Sequence, residues 1–183
     1  MNQESVVLNY EGFIAQIILN NPPSNCMNLA AFVSLREKFS EVEADPAVRV
    51  IILSGQGKKG FCAGFDLMVG GNAPKINKMA QDVCNQIENA GKPVIAAING
   101  YALGGGCELA LSCHFRFMVN QPKALIGLPE LDLGVIPVWG GTQRLPKLLG
   151  KSKSLEMIFL SQRINAQEAL KVGLIDRVSE PDA

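Results

Sequence analysis

The 183-residue chain has no net charge: seventeen lysines and arginines are matched by seventeen aspartates and glutamates. That balance gives no support to nucleic-acid binding or to capture at an acidic membrane surface. No apolar run reaches the length of a bilayer span, and the start "MNQESVVLNYEG" lacks the basic residues and apolar stretch of a secretory signal. There is no C-x-x-C pair; the five cysteines (Cys26, Cys62, Cys84, Cys107, Cys113) are odd in number and scattered. This argues against a zinc cluster or a disulfide framework and for reduced, buried thiols in a cytoplasmic protein. No G-x-S-x-G segment sets a serine on a strained elbow. The single histidine, His114, falls in a strand beside Cys113, where a structural hydrogen bond is the plain reading.

What is present is a chain that is 48% hydrophobic and 19% charged, long enough for one well-packed domain. Two short strands, 5–9 and 13–19, join at Glu11-Gly12. Asn28 can cap a helix through Ala44, because Leu29, Phe32, Val33, Arg36, Phe39 and Val42 hold helical spacing. The runs 48–55 and 93–99 are continuously apolar and read as strands covered on both faces. Between them, after a loop over 55–66 and a poorly defined "MVGGNAP", Ile76, Met79, Ala80, Val83, Ile87 and Ala90 form one stripe of a helix. Short strands are expected at 114–119 and 124–128, and from Trp139 onward the pattern is mostly helical. Strands alternating with helices, without repeat or linker, predict one α/β domain.

Three segments are rich in glycine. "GQGKKG", Gly55 to Gly60, matches G-x-G-x-x-G after a strand, but the following "FCAGFD" does not open the helix a pyrophosphate site needs. It reads as a lysine-rich surface loop. "GFCAGFD" (60–66) and "YALGGGCEL" (101–109) each follow a buried strand, at the end where open α/β sheets place their sites. Bare glycine backbone lets a ligand oxygen reach peptide N–H groups, and the first amides of a helix starting at Gly104–Gly106 are unpaired. Glu108 lies three residues past Gly105, on the same helical face. Tight turns alone would also account for either loop taken singly.

Taken with "IGLPELDLGVIP" and "GGTQRLPKLLG", these segments resemble the enoyl-CoA hydratase/isomerase (crotonase) superfamily, in order and over nearly the whole chain. The look is closest to the hydratases and to the hydratase part of multifunctional fatty-acid oxidation enzymes. The resemblance implies an α/β spiral of ββα units, an acyl-CoA thioester substrate whose coenzyme A is part of the substrate, no separate cofactor or metal, and a homotrimer or pair of trimers. It implies a C-terminal helical segment beyond the core, so residues 1–183 are expected to form a catalytic core without it. By the same resemblance the amides of Phe65 and Gly105 form an oxyanion hole, and Glu108 and Glu130 handle the protons. Ser24, Cys26, Ala63, Asp66, Leu67 and Gly104 join Phe65 and Gly105 as substrate-binding positions. Two close carboxyl groups cannot both ionise comfortably, so one should hold a proton; Glu130 is expected to be the base and Glu108 the acid.

Two departures stand out. Val138, followed by Trp139, replaces the glycine commonly found after the proline of "GVIP", and "NNPPSNCMN" lacks the basic residue many relatives place near the CoA nucleotide. The expected reaction is addition of water across the 2,3 double bond of a 2-enoyl-CoA. A double-bond isomerase, another acyl-CoA hydrolase or lyase, and a non-catalytic acyl-CoA-binding or interaction module are the alternatives.

Overall fold

A computed structural model describes residues 4–67 and 73–181. The chain opens with an antiparallel hairpin, β1 (Val6–Glu11) and β2 (Ile14–Leu19), followed by α1 (Leu29–Ala44). Asn28 caps α1 as its spacing predicts, the side-chain oxygen accepting from the Ala31 amide at 3.0 Å. Three further units repeat one plan. β3 (Val50–Gly55) and β4 (Gly60–Cys62) lead to α2 (Ala73–Glu88), and β5 (Val94–Ile98) and β6 (Tyr101–Leu103) lead to α3 (Gly105–Ser112). β7 (Phe115–Val119) and β8 (Ile126–Gly127) lead through a 3-10 turn, Glu130–Leu133, to α4 (Gly141–Phe159). The short β9 (Arg163–Ile164), α5 (Ala166–Val172) and β10 (Arg177–Ser179) close the described chain.

In these three units the first strand joins one sheet and the second joins another. The larger sheet runs β1-β2-β3-β5-β7-β10, parallel except for β1, and the smaller runs β4-β6-β8-β9. This is the spiral of ββα units. Along β3 and β5 the buried residues, Ile51 and Leu53, then Val94, Ala96 and Ile98, alternate with half-buried ones. One face is thus sealed in the core and the other is only partly covered, short of the full cover on both faces expected from the apolar runs. The core is one contiguous cluster, with Phe32, Leu35 and Phe39 of α1 among its large side chains.

Several details differ from the sequence expectation. The loop 55–66 contains β4, "YAL" is a strand before α3 begins, and the predominantly helical tail includes β9 and β10. "MVGGNAP" lies mostly outside the described residues. Gly55–Gly60 joins two strands and opens no helix, as expected of a surface loop. α4 breaks at Gly150 (φ 75°, ψ 165°), within the stretch read as mostly helical. His114 is structural, its Nδ1 accepting from the Val94 amide at 2.9 Å.

Candidate active site

The three consecutive glycines have three separate reasons. Gly104 sits at φ 57°, a left-handed conformation that ends β6 and turns the chain into α3. A Cβ on Gly105 would run into the Trp139 ring, and one on Gly106 into the Cys62 backbone of β4. Backbone and indole therefore approach where side chains would otherwise stand. α3 is buried along all eight residues, and its first N–H, that of Gly105, has no acceptor inside the helix.

The 63–66 segment meets this helix start. The Gly105 nitrogen lies 2.8 Å from where a Cβ on Gly64 would sit, and Gly64 has φ 91°. One residue on, Phe65 makes a parallel bridge to Met27 in which the Met27 amide donates to the Gly64 carbonyl (2.8 Å) and the Asp66 amide to the Met27 carbonyl (3.1 Å). In such a bridge the central residue's own N–H turns to the opposite side. Among the described residues no hydrogen bond of the Phe65 amide is found.

Both carboxyl groups reach the same place from different units. Glu108, on the first turn of α3, is 1% exposed. Its Oε1 accepts from the amides of Trp139 and Gly141, each at 2.8 Å. Burial pushes its pKa up, while those two amides oppose the rise. Glu130 opens the 3-10 turn after β8, and its Oε1 lies 3.3 Å from where a Cβ on Gly104 would sit. Its Oε2 is buried with no hydrogen-bond partner among the described residues. Burial first, and the Glu108 charge second, push the Glu130 carboxyl up to about 7.

These groups face one cavity of about 560 Å³. Of the positions implied by the sequence, Ala63, Phe65, Leu67, Gly104, Gly105, Glu108 and Glu130 line it. Ser24, Cys26 and Asp66 do not line it. Ser24 supports the wall from behind, its carbonyl accepting from the Ala63 amide at 3.1 Å, and its hydroxyl lies 3.2 Å from Cys26 Sγ. Val138 lines the cavity where a glycine was expected. Among the described residues no cluster of His, Cys, Asp or Glu could hold a metal ion, all five cysteines are free, and no helix is long and apolar enough to cross a membrane.

Sequence reasoning did not single out Trp139 as a site residue. It is 1% exposed, edge-on to Phe32 with ring centroids 4.9 Å apart, and its Nε1 donates to Asn77 Oδ1 at 3.1 Å. Buried Arg144 holds the Trp139 carbonyl at 3.0 Å while its Nε and Nη2 bind Glu88 at 2.9 and 2.7 Å. The glycine pair Gly140-Gly141, the cap and first residue of α4, was the available signal, because a bare helix start offers amides.

Fold and cavity define a class: ββα spirals with two carboxyl groups set in an apolar pocket at the helix starts. Known proteins narrow the class. Residues 9–183 match the enoyl-CoA hydratase/isomerase family. A crotonyl-CoA hydratase of Syntrophomonas wolfei is 39% identical over 100% of this chain and 72% of its own length. A peroxisomal fatty acid beta-oxidation multifunctional protein of Arabidopsis thaliana is 44% identical over 92% of this chain, which spans 24% of that protein. The crystal structure of an enoyl-CoA hydratase from Bacillus anthracis superposes with a TM-score of 0.93 at 37% identity, covering 98% of this chain and 71% of that one. The chain belongs to the enoyl-CoA hydratase/isomerase family.

Proposed function

We propose that this protein is an enoyl-CoA hydratase, adding water reversibly across the 2,3 double bond of a 2-enoyl-CoA thioester. The observation that carries the reading is the pair of unlike carboxyl groups on one cavity, Glu108 held by two amides and Glu130 without a partner. Attack of water at C3 builds negative charge on the thioester oxygen. The Phe65 and Gly105 amides answer that charge without reorganising, and each such donor is worth about 2.7–4 kcal/mol of barrier. The Glu108 carboxylate takes the proton from water, and the Glu130 carboxylic acid supplies one to C2. This ordering reverses the one expected from sequence. The ordering rests on the donors. Glu108 Oε1 accepts from two amides, which oppose the rise that burial imposes on its pKa. Glu130 Oε2 has no donor among the described residues, and burial beside Glu108 pushes its carboxyl up to about 7.

Two placed carboxyl groups favour hydration over double-bond migration, which needs one proton shuttle. The expected trimeric assembly is part of the proposal; exposed Leu155, Phe159 and Leu160, at the end of α4 and just beyond it, support a surface that another copy covers. Cytoplasmic residence is a further part, supported by the free thiols. Loss of enoyl absorbance on mixing the protein with crotonyl-CoA tests the reading. Steady loss is expected. Migration of a 3-enoyl double bond without any hydration would replace hydratase by isomerase.

A further inference from the structure

The Asn77–Trp139 contact determines what the outer part of the cavity offers. An indole nitrogen only donates, so Asn77 must turn its oxygen toward Trp139 Nε1, 3.1 Å away. Its Nδ2, with two N–H groups, then points away from the indole, and no acceptor for it is found among the described residues. Asn77 is half-buried and lines the same cavity as Glu108 and Glu130, beside Ala73, Leu133 and Ile136. An apolar pocket thus contains an oriented side-chain amide donor with no acceptor among the described residues.

Its place along the pocket follows from the indole. Gly105 lies against the six-membered ring of Trp139, while Asn77 is held at the nitrogen edge. The donor therefore stands across the indole from Gly105, whose amide the proposed function assigns to the thioester oxygen. No lysine, arginine or histidine is among the lining residues, whereas two glutamates are. A carboxylate on the acyl chain would meet only like charge, so a neutral oxygen suits the donor best.

We propose that Asn77 is a specificity residue that selects 2-enoyl thioesters carrying a neutral hydrogen-bond acceptor, a keto or hydroxyl oxygen, several carbons beyond the double bond. The proposal rests on the enoyl-thioester reading of the cavity. A plain hydrocarbon chain strips water from Nδ2 and returns no acceptor, and a site built around a donor rejects the analogue that leaves it unpaired.

The test compares (E)-2-octenoyl-CoA with its 5-, 6- and 7-oxo analogues, taking the ratio of kcat/KM, oxo to plain, within each protein. Wild type should prefer at least one oxo analogue by about tenfold or more. In Asn77→Leu the ratio should fall to about one or below. Asn77→Asp keeps the acceptor for the indole but has no donor, and it should lose the preference too. Trp139 is the only tryptophan, so its emission shows whether the indole stays seated in each variant. It also reads binding of the saturated octanoyl-CoA and oxo-octanoyl-CoA directly. If no enoyl-CoA is hydrated, the hydratase reading fails, and the binding ratio alone decides on Asn77. Equal ratios in wild type and Asn77→Leu, or no oxo preference at any position in rate or binding, overturn the proposal.

Discussion

At the scale of single residues, the two glutamates show how environment divides one side chain into two roles. Glu130 has an ordinary pKa near 4.5 in an unfolded chain and about 7 when folded. Between those values the folded protein holds a proton that the unfolded chain has released, so stability falls as pH rises through this window. Glu130→Gln stays neutral and escapes that loss. Above pH 7 the variant should be more stable than wild type, on the order of 1–2 kcal/mol once solvent screening of a partly exposed group is allowed for. Below pH 4.5 the difference should vanish, and thermal melts at the two pH values check this. The same variant should lose about 10²–10⁴ in hydration turnover if Glu130 is the proton donor. Wild-type kcat/KM should then decline above about pH 7 as the donor ionises; a profile flat to pH 9 would remove Glu130 from that role. Gly105 makes a second residue-scale case. Gly105 lines the cavity, but a Cβ on it would meet the Trp139 ring, so Gly105→Ala collides with a buried indole. Overpacking of that kind costs about 1–3 kcal/mol, so a lowered melting temperature should accompany the fall in turnover. An alanine variant with wild-type stability would show that the indole yields without strain.

At the scale of elements, α2, α3 and α4 are tied through Trp139, and one buried cation closes the tie. Arg144 on α4 binds Glu88 and Asn85 of α2 and the Trp139 carbonyl, whose own residue holds Glu108 through its amide. Arg144→Met removes these bonds from a nearly buried site, and breaking such a pair costs about 3–5 kcal/mol. The expected value lies near the lower end, because Glu88 is 38% exposed and can turn to water. Turnover should drop as well, with CoA binding less affected; denaturant midpoints and a separate KM and kcat measure both. Loss of stability with kcat unchanged would show that α4 does not position Glu108. Which elements were legible in the sequence follows from their length. α1 was readable from its Asn28 cap to Ala44 because sixteen residues display a helical period. β4, β6 and β9, of three, three and two residues, are too short to show any period. The site divides in the same way. Gly105 and Glu108 stood out because a run of glycines and an isolated acid among apolar residues are unusual, whereas Phe65 and Glu130 came only through the family resemblance; all four line the cavity. The hold on Glu108 was not legible, since the amides of Trp139 and Gly141 could belong to any residue.

At the scale of the whole molecule, the cavity has no frame apart from the core. Its walls come from three of the four ββα units, and the indole that separates α3 from α1 belongs to the same contiguous cluster as the strands of the large sheet. Stability and site geometry should therefore be linked most closely where the core touches Trp139. Phe32 and Phe39, two turns apart on α1, test this as a pair: both are almost fully buried, and Phe32 makes the edge-on contact with the indole. Truncating either to alanine should cost about 3–5 kcal/mol by leaving a cavity. The consequences for Trp139 should differ. In Phe32→Ala the emission of the single tryptophan should shift to the red in the folded state, because water or a relaxed indole replaces the ring contact, and turnover should fall beyond what partial unfolding explains. In Phe39→Ala the folded-state emission and the turnover per folded molecule should stay close to wild type although the melting temperature drops by a similar amount. Emission spectra and activity, both taken well below each melting transition, separate the two cases. Equal losses of activity per folded molecule in both variants would mean that the core supports the site uniformly, and that the Phe32–Trp139 contact has no special part in holding Glu108.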